Sequence, residues 1–116
     1  ECTLAARSGG RFASTRLLVT AAAAGDAAAQ AVWERSIRAL ATGLAGLINV
    51  LDPETIVIGG GIAAAGDALF EPLRREVAAR EWRVGDASVP IVPAVLGSGA
   101  GAYGAAFRAR QEISLS

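Results

Sequence analysis

Ile48-Asn49-Val50-Leu51-Asp52-Pro53-Glu54-Thr55-Ile56-Val57-Ile58-Gly59-Gly60-Gly61 reads as a helix end, a tight turn, a strand and a glycine loop. Pro53 disfavours helical geometry at Asp52, so the preceding helix stops there. Thr55 to Ile58 is a short β-branched run without polar alternation, the pattern of a strand buried on both faces. Gly59, Gly60 and Gly61 then remove every side chain at its carboxyl end. In open α/β sheets that end is where ligands sit. Glycine there lets backbone approach a ligand closely, or adopts dihedrals closed to other residues.

Upstream of this block, Asp26 to Leu51 carries the longest helical pattern. Trp33, Ile37, Leu40, Leu44, Leu47, Ile48 and Leu51 recur at three- and four-residue steps, with Glu34, Arg35 and Arg38 off the stripe. Gly43 and Gly46 each lower helix propensity by about 1 kcal/mol relative to alanine. A helix that tolerates this is expected to pack tightly against a sheet or another subunit. Earlier still, Ala5-Ala6 followed by Gly9-Gly10 predicts a short helix with a glycine stop. Thr15 is the expected cap of a helix through Leu17, Leu18 and Val19 to Ala24, and Asp26 caps the next.

Downstream, Leu69, Phe70, Leu73 and Val77 form the buried side of another helix, with Pro72 predicting a kink or a restart. Val89 to Leu96 is a second strand, moved toward a sheet edge by Pro90 and Pro93. Gly97-Ser98-Gly99 is a turn. Ala100 to Arg110 is a last helix, with Gly101, Gly104, Ala105 and Ala106 on a small-residue side expected to pack on the sheet. Gln111 to Ser116 is expected to fray. Two strands cannot sustain a doubly covered sheet, so further strands are expected from preceding sequence or another chain.

Composition narrows the function classes. The 116 residues are 53% hydrophobic and 19% charged, enough for one domain with a core. Eleven basic and eleven acidic residues cancel, which gives no electrostatic case for nucleic acid or an anionic membrane. With one cysteine and no histidine, a disulfide framework, a self-contained zinc site and a serine or cysteine triad are all excluded. No apolar run reaches the roughly 18 residues of a membrane span, and no signal-peptide pattern is seen. The lack of any methionine points to a piece of a longer protein. Asp52 and Glu54 flank Pro53 and are read as turn residues rather than an acid-base pair; Trp33 is read as core and Trp82 as a loop anchor.

The block from Asn49 to Val77, with Ile91 to Ala106 after it, resembles the carboxyl-terminal portion of the ROK family of bacterial sugar kinases and repressors. The resemblance runs from about Ala22 to Arg110. It implies an α/β fold: part of an actin-like ATPase (ribonuclease H-like) domain, its helices packed on an incomplete sheet. Residues 1–116 would form the carboxyl-terminal part of one such domain, with the amino-terminal lobe absent. Gly59, Gly60 and Gly61 match the family's adenosine motif, where backbone passes near the nucleotide. The phosphate loops and the aspartate that serves as general base would lie upstream.

Near the amino end, Cys2-Thr3-Leu4-Ala5-Ala6-Arg7-Ser8-Gly9 is similar to a family motif in which Cys2 matches the last thiolate of a structural zinc site. Leu4 falls where a glutamate contacts the sugar, and leucine cannot accept hydroxyl hydrogen bonds. The resemblance implies phosphate transfer from ATP to a sugar hydroxyl, with magnesium, in a cytoplasmic homo-oligomer, and inactivity of this chain alone. The alternative is the effector and oligomerisation domain of a ROK repressor, whose DNA-binding segment would also lie upstream. Leu4 favours the repressor; the intact glycines and Ala65-Gly66-Asp67 favour the kinase. A pure assembly module is the third reading.

Overall fold

Asp26, Asp52 and Gly66 set the main boundaries of the chain in a computed structural model that describes residues 9–82 and 88–114. The helix expected before Gly10, and with it Cys2 and Leu4, lies outside the described residues. Helix α1 spans Thr15–Ala23, and its cap is Ser14 rather than Thr15: the Ser14 hydroxyl accepts from the Leu17 N–H at 3.2 Å. Helix α2 spans Ala27–Leu51 and is capped by Asp26, whose carboxylate accepts from the Ala29 N–H at 3.0 Å and from the Arg11 guanidinium. It ends where Pro53 requires. Asp52 turns left-handed (φ 44°, ψ 56°) and its N–H donates to the Ile48 carbonyl at 2.9 Å.

The buried face of α2 is Ala29, Val32, Trp33, Ile37, Ala41, Ala45 and Ile48. This face is rotated from the stripe drawn on the large residues. Leu40 and Leu44 are half-buried, whereas Leu47 and Leu51 are 52% and 67% exposed. Alanines take their place in the core, where little room is left between helices. The glycines do not mark tight packing among the described residues: a β-carbon at Gly43 or Gly46 would meet nothing within 4 Å. That face of α2 stands open.

Strand β1 (Ile56–Ile58), a short 3-10 turn (Gly61–Ala65), helix α3 (Asp67–Ala78) and strand β2 (Ile91–Pro93) make one βαβ unit. The strands are parallel, with Ile56 opposite Ile91, Val57 opposite Val92 and Ile58 opposite Pro93. The second strand is shorter than the expected Val89 to Leu96. Pro90, just before it, faces β1 and has no N–H to extend the ladder backward. Ile56 and Ile58 face the core while Val57 is 62% exposed. The sheet is therefore covered on one face, not on both as the apolar run of β1 predicts.

The edges of the sheet differ. The Arg74 guanidinium donates twice to the Ile91 carbonyl, at 2.8 and 3.0 Å, and the Val89 N–H donates to a Glu81 carboxylate oxygen at 3.1 Å. These groups point away from β1, since Pro90 and Ala94 are the residues bonded to it. Side chains thus occupy the outer edge of β2. Among the described residues no strand lies on the outer edge of β1.

Pro72 sits inside α3, which continues through it without a restart. Proline removes the N–H that would bond the carbonyl of Ala68, four residues earlier. The Trp33 indole N–H donates to that carbonyl at 3.1 Å, so α2 supplies the donor that α3 lacks. Trp33→Phe is expected to destabilise the protein by about 1–2 kcal/mol, the cost of leaving a part-buried carbonyl without its donor. In a Pro72→Ala background the new alanine provides its own N–H, and urea unfolding should find the Trp33→Phe penalty reduced by about 1 kcal/mol. Equal penalties in both backgrounds would show that the indole contributes packing alone.

Leu18 of α1, Val32, Trp33 and Ile37 of α2, Leu69, Phe70, Leu73 and Val77 of α3, and Val89 and Ile91 at β2 form the core. Helix α4 (Ala100–Ser114) stays outside it. The helix runs past Arg110, through residues expected to fray, and residues 100–113 are all exposed, including Tyr103 at 64% and Phe107 at 63%. The small-residue side expected to pack on the sheet is not buried by any of the described residues. A single helix has no buried side until something covers it. No helix among the described residues is long and apolar enough to cross a membrane.

Candidate functional site

Between α1 and the 3-10 turn that follows β1 lies a cleft of about 520 Å³, lined by Thr15, Arg16, Val19 and Thr20 of α1 and by Gly61, Ala64 and Ala65 of the turn. Its volume falls within the range of about 300–1,000 Å³ common to small-molecule sites. The surface has two characters. Val19, Gly61, Ala64 and Ala65 give a small apolar floor, while Thr15, Arg16 and Thr20 bring hydroxyls and a guanidinium. No carboxylate lines it.

The three glycines do different work. A β-carbon at Gly59 would meet the Ala94 β-carbon at 3.3 Å, so Gly59 lets the chain leave β1 close beside the end of β2. Gly60 adopts φ 76°, ψ −171°, a region essentially reserved for glycine. Its carbonyl accepts from the Ala63 N–H at 3.2 Å and starts the 3-10 turn. Gly61 has neither constraint: its φ is not positive, and a β-carbon there would meet nothing within 4 Å. Of the three, Gly61 is the one that lines the cleft. Gly66 closes the turn at φ 55° and its carbonyl accepts from Leu69 and Phe70, starting α3.

The α1 residues of the cleft carry no signal in the sequence. Arg16 and Gly61 lie far apart in the chain, and α1 reads only as a short capped helix. Folding α1 against α2 and the 3-10 turn is what brings them together. Asp52, with Glu54 exposed beyond Pro53, closes the helix end as read and does not enter the cleft. Trp82 anchors its segment by backbone rather than by ring. Its N–H donates to the Asn49 side-chain oxygen at 3.0 Å while the residue is 85% exposed. Among the described residues no group of three or more His, Cys, Asp or Glu side chains is placed to hold a metal.

A model described as the ROK family matches residues 4–112. The chain is 45% identical over 65 residues to a glucokinase of Thermotoga maritima, covering 56% of this chain and 20% of that protein. It is 38% identical over 94 residues to a glucokinase of Halalkalibacterium halodurans, covering 80% and 28% respectively. Among solved structures, a ROK family glucokinase from Streptomyces griseus in complex with glucose and AMPPNP superposes with a TM-score of 0.69 at 30% identity, over 93% of this chain and 37% of that one. A ROK hexokinase from Thermus thermophilus gives 0.62 at 34% identity, over 87% and 34%. The chain therefore spans between about a fifth and a little over a third of the length of these relatives.

Proposed function

The chain belongs to the ROK family, and on that premise we propose that it is the carboxyl-terminal, nucleotide-side portion of an ATP-dependent sugar kinase. The observation that carries this is Gly61, whose bare backbone, in the turn that follows β1, lines a cleft of about 520 Å³. Floor and rim both suit an adenosine moiety. The alanines, Val19 and glycine backbone offer an apolar surface, Thr15 and Thr20 offer hydroxyls to a polar edge, and Arg16 adds a guanidinium. The relatives reported above are sugar kinases, and the Streptomyces griseus protein was solved with glucose and AMPPNP. That supports the kinase over the repressor.

In this reading ATP supplies the phosphoryl group and a sugar hydroxyl receives it, with magnesium offsetting charge on the phosphates. The present residues hold and orient the nucleoside and keep water from its apolar face. Gly59 and Gly60 shape the loop, and Gly61 makes the close approach. The general base and phosphate loops come from the remainder of the protein, as does any zinc site to which Cys2 contributes. Further strands of that remainder add along the free edge of β1, because Arg74 and Glu81 occupy the outer edge of β2. The open faces of α2 and α4 suit contact with the rest of the protein or with a second copy in a homo-oligomer. Use of ATP on a sugar fits a cytoplasmic protein.

Gly61→Val in the full-length protein tests this reading. Nothing surrounds the new side chain in the fold, so the unfolding midpoint should hold to within about 0.5 kcal/mol. The side chain would occupy the floor of the cleft, and calorimetry should find ATP affinity lowered at least about tenfold. Unchanged affinity with unchanged stability would remove the cleft from nucleotide binding.

A further inference from the structure

Arg16 is the one arginine that lines the cleft. Arg11, Arg74, Arg80 and Arg108 each lie against an acidic side chain; among the described residues Arg35, Arg38, Arg75 and Arg110 do not, and none of these eight lines the cleft. Among the described residues Arg16 has no such partner, and no acidic residue lines the cleft on which it sits. Nor does any aromatic side chain line that cleft. A heteroaromatic base lying on Val19, Ala64 and Ala65 would be covered on one face by apolar side chains and would find no ring for the other. The guanidinium is planar, delocalised and weakly hydrated, and it stacks on aromatic faces. It is the one planar side-chain group lining the cleft. We propose that Arg16 lays its guanidinium on the purine base of the nucleotide, closing the base between itself and the apolar floor formed by Val19, Ala64 and Ala65.

This rests on the nucleotide reading above and adds to it a residue that the glycine loop does not reveal. Thr15 and Thr20 flank Arg16 on the same helix, and their hydroxyls both donate and accept. They suit the edge of a base whose face Arg16 covers. The assignment separates Arg16 from phosphate contacts: it predicts that the residue senses the nucleoside, not the charge of the triphosphate. It also predicts that lysine cannot substitute, because a compact ammonium has no plane to stack.

The test compares ATP and adenosine, titrated calorimetrically into the full-length protein as wild type, Arg16→Ala and Arg16→Lys. Arg16→Ala should raise the dissociation constants for ATP and adenosine by the same factor, about tenfold. Arg16→Lys should recover little of the loss, and the sugar KM and unfolding midpoint should stay at their wild-type values. A loss for ATP with adenosine unchanged would assign Arg16 to phosphate and overturn the stacking, as would full rescue by lysine. If wild type binds nucleotide and Arg16→Ala matches it, the role of Arg16 falls while the nucleotide reading stands. If wild type binds neither ligand, both fall.

Discussion

Phe70→Ala is expected to destabilise the protein by about 3–5 kcal/mol, the range for removing a buried aromatic ring. Phe70 is 3% exposed in the core of α3, between Leu69 and Leu73 of the same helix, both fully buried. The ring has a second role. The Arg74 guanidinium lies over it, 5.4 Å from the ring centroid, and the same guanidinium holds the Ile91 carbonyl on the outer edge of β2. Truncation therefore leaves a cavity and also loosens the group that seals that edge. Phe70→Leu separates the two effects. It refills most of the volume but offers Arg74 no π face, so urea unfolding should find a smaller loss of about 1–2 kcal/mol. A loss below about 1 kcal/mol for Phe70→Ala would mean that the site collapses onto the missing ring, and that the core is not packed as described.

Gly60→Val should lower stability by about 3 kcal/mol, at the upper end of backbone strain for a residue in a sparsely populated region. The residue's φ of 76° with ψ of −171° lies where a β-branched side chain is a severe outlier. The sequence alone left two reasons for a glycine here, a ligand close by or a forbidden dihedral. The structure identifies the dihedral as one reason at position 60, and space at the cleft as a property of Gly61. Loss of nucleotide affinity in Gly60→Val would thus follow from a distorted loop and could not be read as a lost contact. The measurement that separates them is the pair. Thermal unfolding should fall for Gly60→Val and hold for Gly61→Val, while ATP affinity should fall for both. A Gly60→Val protein as stable as wild type would show that the loop relaxes to another conformation at little cost.

Much of this protein was legible in its sequence because it depends on neighbours along the chain. Pro53 ends α2 at Asp52, Asp26 caps the same helix, and Gly60 lies in the glycine loop read after β1. The buried side of α3, with Leu69, Phe70, Leu73 and Val77, follows from helical periodicity and stands as read. The family also was legible, since the Asn49 to Gly61 block and the glycines after Leu96 are contiguous motifs. What required the tertiary structure was everything set by partners distant in sequence. Periodicity gives a helix an apolar face but not the angle at which a neighbour meets it, so Ala41 and Ala45 are buried while Leu47 and Leu51 are exposed. Pro72 reads as a break until Trp33 of another helix supplies the missing donor. Small residues on α4 read as a packing face, but packing needs a second surface, and none of the described residues provides one. The cleft follows the same rule. Gly61 was visible as part of a motif, whereas Arg16, on a helix with no motif of its own, joins it only because α1 folds back beside the turn that follows β1.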